Sequence, residues 1–295
     1  MILNFGSVNI DNCYQVREFV RAGETISALE VTRHAGGKGF NQSVALARAG
    51  AKVCHAGCIG EDGLFLRDML RAEGVDTDFL RVTDSPTGNA IIQVNSRGEN
   101  CIILYTGANG CVTEDYADEV FSHFGPDDVL LVQNEISSLP YIIEKAREKG
   151  MRIAFNPSPM NSGVTREMLG AADWLFVNQV EASEITGAEG RENCLRALGE
   201  LFPRTAVIMT LGSDGAVYRD ERQSLRHGIY PVSALDTTGA GDTFTGYFLR
   251  GILGEDCGLD PLTLATQASA IAVTRPGAAP SVPTLPEVLA FRDGR

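Results

Sequence analysis

Val129-Leu130-Leu131-Val132-Gln133, then the amphipathic stretch 139–149, then Arg152-Ile153-Ala154-Phe155-Asn156 form the passage that decides the fold. The first and third are short runs apolar on both faces, and the segment between them has a helical pattern. A strand apolar on both faces has no face to offer water, so it belongs in a parallel sheet covered by helices on both sides. Working outward, the same alternation recurs. Strands are expected at 2–6, 53–58, 129–133, 152–156, 174–178 and 206–210, and helices at 39–49, 63–72, 139–149, 181–186 and 192–201. The chain reads as α/β, a doubly wound, mostly parallel sheet flanked by helices.

Two pieces break this alternation. Residues 88–94 and 100–105 read as strands joined by Asn95-Ser96-Arg97-Gly98-Glu99, a hairpin with glycine in its turn. Residues 11–33 form a long stretch without a clear helical period. A few strands set apart from a parallel sheet suggest a small β-lid, built from about 11–33 and 88–105. Ligands of such folds bind beyond the carboxyl ends of the strands, where a lid can exclude water. No internal repeat, low-complexity tract or Pro/Ser-rich linker divides the chain, so residues 1–295 are expected to form one catalytic unit.

The 295 residues are 44% hydrophobic and 21% charged, with a formal net charge of −13. That balance repels nucleic acid and anionic membrane surfaces, while local backbone dipoles remain able to bind phosphate. No stretch approaches the roughly 20 apolar residues of a membrane span. The opening Met1-Ile2-Leu3-Asn4-Phe5-Gly6-Ser7 runs straight into a strand, with no basic region or cleavage site. A cytoplasmic protein without nucleic-acid or membrane partners is expected. The seven cysteines are scattered and odd in number, unlike a disulfide framework. Cys54 and Cys58, the one close pair, lack His or Cys partners at metal-ligand spacing and read as small buried strand residues.

Chemistry concentrates in Leu235-Asp236-Thr237-Thr238-Gly239-Ala240-Gly241-Asp242-Thr243-Phe244, which continues into a helix. Small residues at 239–241 let successive backbone N–H groups converge at the helix start, forming an anion hole. Asp242 then falls in the first turn beside it. A carboxylate there can accept a hydroxyl proton while the N–H groups stabilise a transferred phosphoryl. The helix dipole favours its ionised form. The bland alternative is a plain helix cap with a glycine turn. Two nucleotide chemistries are excluded by what is missing. No G-x-G-x-x-G follows the first strand, as a dinucleotide-binding oxidoreductase needs, and there is no G-x-x-x-x-G-K-[ST] phosphate loop.

The string Asp236–Asp242 resembles the signature of the ribokinase (PfkB) family of carbohydrate and nucleoside kinases, and further segments match that family in order along nearly the whole chain. Gly6-Ser7-Val8-Asn9-Ile10-Asp11 resembles its first strand with a sugar-binding Asn and Asp. Gly36-Gly37-Lys38-Gly39-Phe40-Asn41-Gln42 resembles its first signature, in which the backbone approaches a polyol and Lys and Asn bond its hydroxyls. The resemblance implies a sugar held by Asn9, Asp11, Gly37, Lys38, Asn41 and Glu135, with Asp242 as the base and Gly239, Ala240 and Gly241 as the anion hole. It implies ATP at Asn178, Thr210, Gly212, Gly215 and Gly241, with Glu181 organising Mg²⁺ through water. Asn178 and Glu181 also stand at capping-box spacing. Asp236, Thr238, Ala272, Arg275, Gly277 and Ser281 would surround K⁺, several through backbone carbonyls.

By the same resemblance the reaction is transfer of the γ-phosphate of ATP to a primary hydroxyl, with D-ribose the nearest acceptor and ribose 5-phosphate the product. A fructose-type ketose, deoxyribose or a nucleoside is compatible with the same catalytic residues, and so is a non-catalytic sugar or nucleotide sensor. Phe40 departs from the pattern, being bulky where such kinases usually carry Ala. Exposed lid edges invite a second copy, so a homodimer through the lid is expected.

Overall fold

The computed structural model describes residues 1–254 and 256–291. Its strands are β1 (Ile2–Phe5), β2 (Asn9–Gln15), β3 (Glu30–Gly36), β4 (Val53–Gly60), β5 (Leu80–Thr83), β6 (Gly88–Val94), β7 (Asn100–Tyr105), β8 (Val129–Gln133), β9 (Arg152–Asn156), β10 (Trp174–Asn178), β11 (Ala206–Thr210), β12 (Ala216–Arg219) and β13 (Ser224–His227). Nine of them form one sheet in the order β13-β12-β11-β10-β9-β8-β1-β4-β5. Pairing is parallel from β5 to β11, and β12 and β13 extend that edge antiparallel.

Strand periodicity explains why these runs are apolar throughout. Leu3, Phe5, Leu130, Val132, Ile153, Phe155, Leu175 and Val177 point into one buried cluster. Their alternates Ile2, Val129, Leu131, Ala154 and Phe176 point into a second cluster on the other face. Each core strand therefore carries apolar residues on both faces, because helices cover both, and the buried Asn4 and His55 are exceptions held by hydrogen bonds. The chain starts in the middle of the sheet, moves to β4 and β5, and then returns to β8 on the other side of β1. The strand order thus reverses between β1 and β8, the place where open α/β sheets leave a crevice beyond their carboxyl ends.

A second sheet, in the order β3-β2-β6-β7, stands apart. The hairpin at 88–94 and 100–105 has the expected bounds. The patternless stretch 11–33 resolves into β2 and β3, which pair antiparallel across the intervening residues 16–29. Gly6-Ser7-Val8-Asn9-Ile10-Asp11 is not one first strand, contrary to expectation. β1 ends at Phe5, and Asn9 and Asp11 lie on β2, within the small sheet. The chain changes sheets at Gly6–Val8, and Ser7 turns its polar atoms onto the N–H groups of Gly39 and Phe40 and onto Glu135 there instead of continuing the ladder.

Helix ends shift by one or two residues from those expected, as at Lys38–Arg48, Gln179–Thr186 and Arg191–Leu201. The helix Pro261–Ala272 was not legible. Nine of its twelve residues are buried, so it has no polar face to give a helical period.

Candidate active site

Two helices bring the central carboxylate and its partners together. The helix Ala240–Leu253 starts from Gly239, whose φ of 73° is left-handed, and Asp242 falls in its first turn. It packs on the helix Lys38–Arg48, and the approach is close: a Cβ on Gly246 would lie 2.5 Å from that of Ala45. One turn back from this contact, on the i−4 positions of each helix, stand Asp242 and Asn41. Asn41 Nδ2 donates to Asp242 Oδ2 at 3.2 Å, and Gln42 Nε2 donates to Asp242 Oδ1 at 2.9 Å. Asp242 is 8% exposed. Asn41 Oδ1 is buried with no hydrogen-bond partner, a free acceptor beside the carboxylate.

Polar residues at the carboxyl ends of β1, β8, β9 and β10 extend this pair into a chain. Gln133 Nε2 donates to Gln42 Oε1 at 2.7 Å and to Asn4 Oδ1 at 3.0 Å. Gln42 Nε2 also reaches Asn156 Oδ1 at 3.4 Å, and Asn156 Nδ2 reaches Ser158 Oγ at 3.3 Å. The Ser158 hydroxyl in turn donates to Glu181 Oε1. Glu181 closes a capping box with Asn178: Asn178 N–H donates to Glu181 Oε2 at 2.9 Å, and Glu181 N–H to Asn178 Oδ1 at 2.9 Å. Both oxygens of Glu181 are therefore engaged, so the carboxylate suits the waters around a metal ion better than direct ligation.

On the other side lie the residues expected to hold sugar. Asn9 Oδ1 accepts from Asn109 Nδ2 at 2.7 Å. Gly37, at φ 90°, caps the helix Lys38–Arg48, whose first N–H donates to Glu135 Oε2 at 2.9 Å. The Ser7 hydroxyl donates to the same oxygen. Burial and the neighbouring Glu135 charge push the Asp11 carboxyl up to about 6. Burial alone would lower the pKa of the Lys38 ammonium, but the carboxylates of Asp242, Glu135 and Glu181 outweigh it and the net shift is upward. Phe40 is 0% exposed within the core, so its bulk faces away from these polar groups.

A cleft of about 470 Å³ opens beside the Ala240 helix, lined by Thr210, Gly212, Gly215, Tyr230, Phe244 and Val273 among others. Its size and largely apolar wall suit a planar base, with Ala240 and Gly241 at its inner end. Behind it, Asp236 Oδ1 accepts from Thr238 N–H at 2.9 Å and Thr238 Oγ1 at 2.6 Å, while Oδ2 accepts from Gly277 N–H at 2.8 Å. Burial raises the Asp236 carboxyl, but these hydrogen bonds outweigh it and hold it below the usual range. Ala272 and Arg275 share a turn, with Arg275 N–H on Ala272 O at 3.0 Å. The Arg275 guanidinium turns away to Glu287 at 2.7 Å. Ser281 Oγ donates to Ala278 O at 2.7 Å.

A family model described as pfkB family carbohydrate kinase matches residues 1–285. The chain belongs to the pfkB family. It is a carbohydrate kinase. Among pfkB proteins similar to it, ribokinase of Haemophilus influenzae is 35% identical over 296 residues, covering 97% of this chain and 96% of its own length. A solved ribokinase of Arabidopsis thaliana, complexed with ribose and ATP, superposes with a TM-score of 0.88 at 29% identity, covering 99% of each chain. Ribokinase of Cryptococcus neoformans, solved with ADP, gives 0.82 at 34% identity, covering 97% of this chain and 98% of that one.

The structure adds residues to the candidate site. Gln42 and Ser7 lie inside the segments that resemble the family's motifs, and Asn109, Asn156, Ser158 and Tyr230 lie outside them. A signal existed for Asn156. The apolar runs of β8, β9 and β10 each end in an amide, Gln133, Asn156 and Asn178, at the sheet edge where ligands bind. For residues 229–234 no pattern was available, because they line the cleft as irregular backbone.

Proposed function

We propose that this kinase transfers the γ-phosphoryl group of ATP to the primary 5-hydroxyl of D-ribose, giving ribose 5-phosphate, with Asp242 as the base. One observation carries the reading. Asp242 sits at the start of a helix and is joined by hydrogen bonds both to Asn41 on the sugar side and, through Gln42, Asn156 and Ser158, to Glu181 on the phosphate side. Asn9, Asp11, Gly37, Lys38, Asn41 and Glu135 hold the sugar, and the small sheet closes over it as a lid on a single catalytic unit. The adenine occupies the cleft at Thr210, Gly212 and Gly215, and the phosphates extend toward Asn178 and the N–H groups of Gly239 and Gly241, with the Ala240 N–H, which donates to Thr237 O at 3.3 Å in this structure, free to turn to phosphate only by leaving that bond.

Asp242 takes the hydroxyl proton as the sugar oxygen attacks the γ-phosphorus in line and the bond to the β-phosphate oxygen breaks. The backbone N–H groups at the helix start stabilise the charge that develops on the phosphoryl oxygens. Glu181 would hold the waters of a Mg²⁺ bound with ATP, which would supply neutralisation of phosphate charge. Asp236, Thr238, Ala272, Arg275, Gly277 and Ser281 would supply the oxygen donors for K⁺, several through backbone carbonyls, a reading supported by the hydrogen bonds that hold the Asp236 carboxyl ionised beside Gly277. The reading also has the enzyme acting in the cytoplasm as a homodimer joined through the lid.

Purified protein assayed for ATP consumption with Mg²⁺ and K⁺ against ribose, deoxyribose, fructose and nucleosides tests this. Ribose should give the highest kcat/KM, and a higher value on another acceptor would replace it. Asp242→Asn should lose about 10²–10⁴-fold in turnover while remaining folded. Near-wild-type turnover would remove Asp242 from the chemistry.

A further inference from the structure

We infer that Gln42 is a positioning residue for phosphoryl transfer, anchoring Oδ1 of Asp242 so that Oδ2 is the oxygen that accepts the sugar proton. This rests on Asp242 being the base. The two carboxylate oxygens are held by amides from successive residues of one helix, but the two amides are not equivalent. Gln42 lies closer, at 2.9 Å against 3.2 Å for Asn41, and is 0% exposed. Its orientation is locked, because Oε1 accepts from Gln133 Nε2 at 2.7 Å, and Gln133 is itself tied to Asn4. Turning the amide over would set Gln42 Oε1 against the carboxylate and its NH₂ against another NH₂, so Nε2 must face Asp242.

Asn41 has no such lock. Its Oδ1 is buried without a partner, so its amide can turn to a sugar hydroxyl and release Oδ2. In the loaded site the Gln42 bond then remains, and Oδ2 is the oxygen left open for the hydroxyl. As the sugar O–P bond forms, the hydroxyl proton moves to Oδ2 and ADP leaves with the electrons of the broken O–P bond.

The test compares Gln42→Met, which keeps volume but removes the donor, with Gln42→Glu, which keeps the acceptor for Gln133 and sets a second carboxylate beside Asp242. Both are measured alone and combined with Asp242→Asn. Gln42→Met should lower kcat about 10-fold or more with the sugar KM within about 2-fold. Gln42→Glu, which sets like charges side by side, should lower kcat at least as far, again with little change in KM. Neither change should lower turnover further in the Asp242→Asn background. If Asp242→Asn itself retains wild-type turnover, the base assignment fails and the inference with it. If Asp242→Asn is inactive but the Gln42 variants keep wild-type kcat, or raise the sugar KM instead, or their losses add to that of Asp242→Asn, Gln42 is structural only and the inference is overturned. Should Gln42→Met not fold, kcat and KM of Gln42→Glu decide alone.

Discussion

At the scale of single residues, two buried titrating groups push the protein in opposite directions with pH. Burial and the neighbouring Glu135 charge push the Asp11 carboxyl up from the usual carboxylate range to about 6. Its folded form binds a proton more readily than the unfolded chain, so its contribution to stability is fully present below pH ~4 and is lost as pH rises through ~6. The proposed role of Asp11 as a sugar acceptor needs the carboxylate. The kcat/KM for ribose should therefore fall below pH ~6, and Asp11→Asn should be weaker but flat from pH 5 to 7. An unchanged inflection in Asp11→Asn would assign it to another group. His55 has the reverse sign. Fully buried, with Nδ1 hydrogen-bonded to the Ser43 hydroxyl at 2.8 Å, it has its pKa lowered to about 4 from 6.5. Its contribution is present above pH ~6.5 and is lost as pH falls through ~4, amounting to about 3 kcal/mol across that window. Wild-type Tm should drop between pH 7 and 5, and a folded His55→Gln protein should show a shallower drop. Equal slopes would place the acid sensitivity elsewhere.

At the scale of elements, the start of the Ala240–Leu253 helix sets the site. Gly239 combines a left-handed φ of 73° with close contact, since an added Cβ would lie 2.8 Å from Cα and Cβ of Ala278. Gly239→Ala must therefore move either the N–H groups at the helix start, the proposed phosphate donors, or the 277–281 segment. We expect at least a tenfold loss in kcat with a Tm lowered by only a few degrees, read by steady-state kinetics and thermal melting. Wild-type kcat in that variant would mean that the helix start tolerates displacement. The capping box Asn178/Glu181 makes a related point. The spacing was visible in the sequence, but the grip of Ser158 on Glu181, which ties this helix start to β9, was not. Serine at 158 and glutamate at 181 are brought together only by the parallel pairing of β9 and β10.

At the scale of the whole molecule, the small sheet leaves β7 as an open edge with Ile102, Ile103, Leu104 and Tyr105 each at least half exposed. An apolar strand edge of this kind favours pairing with a second copy. Light scattering at micromolar concentration should give a dimer, and at least one of Ile103→Lys and Leu104→Lys, which sit on opposite faces of the strand, should yield monomers. A wild-type monomer would refute the lid-joined dimer. The parallel sheet, the hairpin and the carboxylate at a glycine-rich helix start were legible in the sequence, because each depends on local pattern. Apolar runs on both faces demand a covered sheet, and a short run of small residues permits converging N–H groups. Other features followed from packing alone. Asn9 and Asp11 belong to the small sheet because the chain crosses over at Gly6–Val8, the Pro261–Ala272 helix is hidden because it is buried nearly all round, and Gln42 meets Asp242, 200 residues away, because two helices close on Ala45 and Gly246. Sequence determined which groups could do the chemistry. The tertiary structure decided which atom of each faces which, because hydrogen-bond geometry between distant residues exists only once the helices and strands are packed.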